Sequence, residues 1–130
     1  MQQRLNFIGC GQLGKTLGSL WQQSGSVVIG DVLTRSMENA QSAIEIIGGG
    51  RPIQDMSSMQ PATIYLIACG DDAIEHCSQQ LASTDLLTKG DVVFHCSGAQ
   101  SSLLLSACKS KGVSVASIHP IKSFANLALA

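Results

Sequence analysis

The sequence predicts an α/β fold, an open, doubly wound, mostly parallel sheet, and three observations point to it. Short apolar runs alternate with stretches of about ten residues at helical spacing, the pattern of repeated βαβ units. A glycine-rich turn, Gly9-Cys10-Gly11-Gln12-Leu13-Gly14, stands between the first apolar run and the first helical stretch. The chain of 130 residues is 45% hydrophobic, enough for one packed core and too short for two comfortable ones. Parallel neighbours need crossover connections, and right-handed crossovers put helices on both faces of the sheet.

The elements follow in order. Leu5-Asn6-Phe7-Ile8 reads as the first strand. Gln12 to Ser24 has helical spacing, with Leu13, Leu17, Leu20 and Trp21 on one face and Gly25 as its stop. Val27 to Leu33 is β-branched and predicts the second strand. Ser36 is placed to cap a second helix with Met37, Ala40, Ala43, Ile44 and Ile47 inward, ended by Gly48-Gly49-Gly50. Arg51-Pro52-Ile53 is a short third strand. Thr63 to Ala68 is the clearest buried strand, followed by a helix from Asp72 to Leu81. Asp91 to Cys96 is the fifth strand, Ser101 to Lys111 the next helix, Gly112 its stop, and Val113 to Ile118 the last strand.

Composition excludes several functions. Charged residues make up 13% and the formal net charge is −1, so the basic footprint of a nucleic-acid binder is missing. No apolar run approaches the ~20 residues that span a bilayer, and no polybasic cluster would hold the chain on an anionic membrane. The five cysteines show no CxxC spacing, which argues against a zinc site and a disulfide framework. No metal is expected. The expectation is a reduced, cytoplasmic protein whose cysteines act as small buried hydrophobes.

The glycine turn carries the first chemistry. GxGxxG alone is a weak pattern, but a strand before it and a helix after it are the context it requires. Gly9 allows a tight turn, Gly11 lets backbone approach a pyrophosphate, and Gly14 lets the helix pack closely. Free amides and the positive dipole end of the helix would face the phosphates. Lys15 opposes the macrodipole unless an anion lies nearby; it could equally point to solvent. Cys10, Gln12 and Leu13 belong to the same cofactor-binding turn.

The tip of the second strand selects the dinucleotide. About 20 residues after Gly14, where an NAD site places an acid, the chain reads Thr34-Arg35-Ser36. Arg35 can grip a 2′-phosphate and Ser36 can donate to it. NADP is therefore expected over NAD. Asp31 is the competing signal: were the strand to end earlier, it would be the ribose acid of an NAD site.

Ligands of doubly wound sheets sit beyond the carboxyl ends of strands. Cys69 and Gly70 follow the fourth strand and are small enough to admit a cofactor ribose, while Asp72 is placed to cap the next helix. Ser97 follows the fifth strand and can bond a carboxamide or substrate, or cap a turn. His95 reads as structural and Cys96 as a buried thiol. His119, at the end of the sixth strand, is a candidate proton donor to a reduced carbonyl or imine.

Taken together, Phe7-Ile8-Gly9-Cys10-Gly11-Gln12-Leu13-Gly14, Thr34-Arg35-Ser36, Cys69-Gly70-Asp71-Asp72-Ala73-Ile74, His95-Cys96-Ser97-Gly98-Ala99 and His119-Pro120-Ile121-Lys122-Ser123-Phe124-Ala125 carry a resemblance. The chain resembles the N-terminal Rossmann domain of a family of predicted NADP-dependent oxidoreductases. That family is similar to pyrroline-5-carboxylate reductase, deazaflavin-dependent NADP reductase and the 6-phosphogluconate dehydrogenase group. The resemblance implies an NAD(P)-binding domain over residues 1–130 and a hydride-transferring enzyme acting on an unknown small molecule. Members of the group usually continue into a helical C-terminal domain that completes the substrate pocket and forms a homodimer. This sequence stops at Ala130, so the chain alone is expected to be inactive. The alternative is a non-catalytic dinucleotide-sensing module. A methyltransferase using S-adenosylmethionine would want an acid where Thr34-Arg35 stands.

Overall fold

The computed structural model describes residues 3–97 and 102–118. Among them six strands, β1 (Gln3–Ile8), β2 (Val27–Leu33), β3 (Arg51–Ile53), β4 (Ile64–Ile67), β5 (Val92–His95) and β6 (Ser114–Ser117), form one sheet. The order is β3-β2-β1-β4-β5-β6, and every neighbouring pair is parallel. Four helices accompany it: α1 (Gln12–Ser24), α2 (Met37–Ile47), α3 (Ile74–Ala82) and the single turn α4 (Ser106–Lys109). The predicted doubly wound sheet is thus the observed one.

Strand alternation divides the interior into two cores. On one face Leu5 and Phe7 of β1, Leu66 of β4 and Phe94 of β5 pack with Ala43 and Ile47 of α2 and with Trp21 of α1. The Trp21 and Phe94 rings meet edge to face with centroids 6.5 Å apart. On the other face Ile8, Tyr65, Ile67 and Val93 pack with Ile74 and Leu81 of α3, with Leu105 just before α4 and with Cys108 within it. Central strands apolar on both sides are what a sheet covered by helices on both faces demands.

Several local expectations need correction. Ser36 does cap α2, its Oγ accepting from Asn39 N at 3.1 Å, but Met37 is exposed rather than inward. The segment after β4 enters α3 through a 3-10 turn, Asp71–Ala73, and the N-cap position is Ala73 without a side-chain cap, so Asp72 does not cap it. The predicted helix from Ser101 to Lys111 is a 3-10 turn, Ser102–Leu105, followed only by α4. Ser and Lys contribute little apolar surface there, and the short segment has one buried stripe, Leu105 and Cys108, to hold it. Of the cysteines only Cys108 is fully buried; the other four are half-buried. Among the described residues no helix is long and apolar enough to cross a membrane.

The β1–β2 pairing contains an irregularity that decides the fate of Asp31. Leu5 pairs with Ile29 but Phe7 with Val32, so β2 carries one extra residue opposite Asn6. A side chain at Gly30 would collide with Asn6 and Arg4 there. Asn6 Oδ1 accepts from Asp31 N at 2.8 Å, and its Nδ2 donates to Gln60 O at 2.7 Å. The Asp31 carboxylate is fully buried. Arg51 donates to both its oxygens, Nε at 2.8 Å and Nη2 at 3.0 Å, while Gln60 N donates at 2.7 Å and Arg4 Nη2 lies 3.2 Å away.

Burial alone would raise the Asp31 pKa. The hydrogen bonds from Arg51 and Gln60 and the two positive charges outweigh it, and the net shift is downward. A carboxylate with a depressed folded pKa stabilises the fold fully above its unfolded value, about 3.9, and loses that contribution as pH falls through the folded value. Asp31→Ala is expected to cost about 3 kcal/mol, the low end for breaking a buried pair because both arginines can rehydrate. Chemical denaturation from pH 7 down to pH 3 checks this. The difference between wild type and Asp31→Ala should shrink as the medium becomes acidic.

Candidate functional site

The chain order reverses between β1 and β4, and the backbone leaving β1 is tied to both neighbours of that crevice. Gly9 N donates to Leu33 O of β2 at 2.7 Å, Ala68 N to Ile8 O at 2.8 Å, and Gly11 N to Ala68 O at 3.3 Å. Gly9 has φ of +77°, and a Cβ there would come within 2.9 Å of Cys69 N, so the turn requires glycine on both counts. Gly14 packs its Cα face on Ala68 and Phe7, as its predicted packing role requires.

Gly11 differs. Its φ is −78° and a Cβ would meet only Ala68 O, at 3.7 Å. The chain itself tolerates a side chain at Gly11; what a side chain would obstruct is the open space in front of α1. Gly11 is the N-cap of α1 with no side-chain cap, and no acid stands in the first turn. The first helical amides have no partner within the helix and point into that space. This is the local structure of an anion cradle.

Two clefts meet there. The larger, about 790 Å³, is lined by Gly9, Cys10, Lys15, Thr34 and Arg35, among others. The smaller, about 260 Å³, is lined by Gln12, Leu13, Gly14, Leu17, Cys96 and Ser97, among others. Gly11, Ala68, Cys69 and Gly70 border both. The sequence-predicted residues are therefore gathered about one crevice, with two exceptions. Ser36 is not in the lining, because its hydroxyl caps α2 and its carbonyl accepts from Thr34 Oγ1 at 2.6 Å. His119 lies outside the described residues.

Charge is arranged asymmetrically. Arg35 is exposed at the tip of β2 and, among the described residues, makes no ion pair. Asp31, the alternative ribose acid, is two residues inside β2 and consumed by Arg4 and Arg51, so it does not reach the cleft. Cys10 is pushed up to about 11 by burial, with Lys15 opposing, and Cys96 to about 11 by burial, so both are inert thiols at neutral pH.

Ser97 is the clearest polar feature of the smaller cleft. Its N–H donates to Nδ1 of the fully buried His95 at 3.1 Å, which leaves the proton of a neutral His95 ring on Nε2. Its Oγ is buried and, among the described residues, has no hydrogen-bond partner. A buried hydroxyl without a partner costs about 1–3 kcal/mol, so it is suited to a ligand's polar group. Sequence reasoning missed other lining residues, including Asn39, Gln54, Asp55, Ser57 and His76. They come from α2, from the loop after β3 and from α3, and no local motif marks them. Among the described residues no group of His, Cys, Asp and Glu could hold a metal ion.

Residues 1–120 match the Rossmann-like domain family, and the chain belongs to it. No curated protein matches the sequence. Among solved structures, the WlbA dehydrogenase of Bordetella pertussis, in complex with NADH and UDP-GlcNAcA, superposes with a TM-score of 0.73 at 20% identity, over 99% of this chain and 40% of its own. Prephenate dehydrogenase of A. aeolicus, in complex with hydroxyphenyl propionate and NAD+, gives 0.67 at 14%, over 86% of this chain and 39% of its own. A Bacteroides fragilis protein assigned as an NADP oxidoreductase gives 0.69 at 18%, over 79% and 39%. At these identities the likeness is one of fold. The chain spans about two fifths of the length of these structures (40%, 39% and 39%).

The two glycines of the turn separate folding from binding. Gly9→Ala should destabilise the fold by about 2 kcal/mol or more, from positive φ and the contact with Cys69. Gly11→Ala should cost under about 1 kcal/mol, the difference between Gly and Ala at an N-cap. Thermal unfolding of the two variants checks the contrast.

Proposed function

We propose that this chain is the NADP-binding domain of an oxidoreductase that transfers hydride to or from a small-molecule substrate. The observation that carries the reading is the uncapped start of α1 standing between two clefts, one edged by a cation and the other holding an orphaned hydroxyl. The donor set suits a dinucleotide. The amides of Gln12, Leu13 and Gly14 would hold the diphosphate, with Lys15 adding charge. Thr34 and Arg35 would hold the phosphorylated ribose of the adenosine half in the larger cleft. Cys69 and Gly70 leave room for a ribose, and Ser97 would bond the carboxamide in the smaller cleft. When bound, the nicotinamide supplies or accepts the hydride.

The rest concerns this chain's own residues. Leu17 and Ile74 wall the smaller cleft with apolar surface and help exclude water. Arg35 supplies a charge-assisted bond worth about 1.5–3 kcal/mol to a phosphate. His119 is proposed as the proton donor to the substrate. Relatives of the resembled group suggest a helical partner domain beyond this chain, homodimerisation through it and a cytoplasmic setting, and each of these belongs to the same proposal.

Isothermal titration of the protein with NADPH and NADH tests the reading. NADPH should bind at least about tenfold more tightly, which is about 1.4 kcal/mol. Arg35→Ala should abolish that preference, and Gly11→Ala should abolish binding while leaving the fold intact. Equal affinity for the two nucleotides would overturn the NADP assignment, and binding of neither would overturn the dinucleotide reading.

A further inference from the structure

β5 ends at His95, whose backbone is fixed from both sides. It pairs with Ile67 of β4 and Ser117 of β6, and its carbonyl accepts from Ile118 N at 2.9 Å. Strand alternation puts its ring on the same face as Val93, the face that α3 covers, and the residue is fully buried. His95 lines neither cleft. Beyond it the chain leaves the sheet, and Ser97 follows two residues later at the border of the smaller cleft. The Ser97 N–H donates to His95 Nδ1 at 3.1 Å. A side-chain acceptor thus bonds an amide two residues on, the pattern that Asn and Asp make in Asx turns.

An imidazole is a costly way to fill this buried position. Its ring nitrogens must be desolvated, whereas leucine would occupy the space with apolar carbon alone. What leucine lacks is an acceptor for the Ser97 amide. The bond to Nδ1 ties that amide to a strand residue held by both neighbouring strands. With its amide fixed, Ser97 has a restricted direction for its Cα–Cβ bond. Its Oγ is the buried atom that, among the described residues, has no hydrogen-bond partner. A hydroxyl held in place before a ligand arrives binds it without the ordering cost of a free loop.

We infer that His95 is a positioning residue for the nicotinamide end of the site: its Nδ1 holds the Ser97 amide and thereby aims the Ser97 hydroxyl at the ligand's carboxamide. The inference rests on the dinucleotide reading proposed above and adds to it a residue buried behind the cleft. Nδ1 is bonded directly to Cγ, so asparagine at position 95 presents its Oδ1 in nearly the same place. Glutamine carries its oxygen one methylene further out. A residue that only filled the core would be replaced best by leucine and worst by asparagine. Positioning of Ser97 reverses that order.

The test titrates the whole chain with NADPH and with adenosine 2′,5′-bisphosphate, which carries the adenosine half and lacks the nicotinamide. His95→Leu should weaken NADPH about three- to tenfold, the loss of one net hydrogen bond, and leave adenosine 2′,5′-bisphosphate unchanged. His95→Asn should restore the NADPH affinity. In a Ser97→Ala background His95→Leu should add no further loss, because it acts through the missing hydroxyl. Wild-type NADPH affinity in His95→Leu, equal losses for both ligands, no rescue by His95→Asn, or losses that add to that of Ser97→Ala overturn the inference. With NADPH still bound by wild type and weakened by Ser97→Ala, those results leave the dinucleotide reading standing. Failure of wild type to bind NADPH overturns both. Should His95→Leu not fold, His95→Gln takes its place; should His95→Asn not fold, the Ser97→Ala comparison decides.

Discussion

The backbone that leaves β1 is held from both sides, and the candidate site depends on that. Its amides and carbonyls are bonded to β2 through Gly9 and Leu33 and to β4 through Ile8, Ala68 and Gly11. A chain pinned to both neighbours has one direction in which to start a helix. The start of α1 consequently points into the gap where the strand order reverses, and its unpartnered amides come with it. The two clefts are the spaces on either side of this turn. Their shared border, Gly11, Ala68, Cys69 and Gly70, is the same pinned backbone seen from left and right.

Electrostatics at the edge of β2 follow from one extra residue. The irregularity opposite Asn6 turns Asp31 inward, where Arg51, Arg4 and Gln60 N satisfy it. That cluster links β1, β2, β3 and the loop before β4, so the acid serves the sheet. With its nearest acid consumed, the tip of β2 offers a hydroxyl and a guanidinium, Thr34 and Arg35, to the larger cleft. Asp55 is the carboxylate among that cleft's lining residues, against Lys15 and Arg35. The smaller cleft has the opposite character. Leu17, Leu66, Ile67 and Ile74 make it apolar, and Ser97 Oγ is, among the described residues, a buried polar atom left unsatisfied within it.

The strands and the first two helices were readable locally. Gln12 to Ser24 and Val27 to Leu33 coincide with α1 and β2, because a 3.6-residue stripe, a β-branched run and a left-handed Gly25 each act over a few residues. The glycine turn was readable for the same reason: strand, tight turn and helix are contiguous. The segment from Ser101 to Lys111 was not, since its apolar residues leave only one short stripe to bury and tertiary packing decides how much helix survives. Asp72 looked like a cap by residue type, but the chain reaches α3 through a 3-10 turn that leaves it inside the turn.

What the sequence by itself determined is the order of strands and helices, the parallel doubly wound architecture that this order forces, and the presence of a glycine cradle at the first crossover. Only the tertiary structure decided that Asp31 is internal and Arg35 external, that Ser36 is spent on a cap, and that Ser97 Oγ is orphaned among the described residues. The physical reason is range. Periodicity, capping and turn chemistry act between neighbours in the chain, whereas strand register, ion pairing and the walls of a cleft are set by elements that meet only after the sheet has formed.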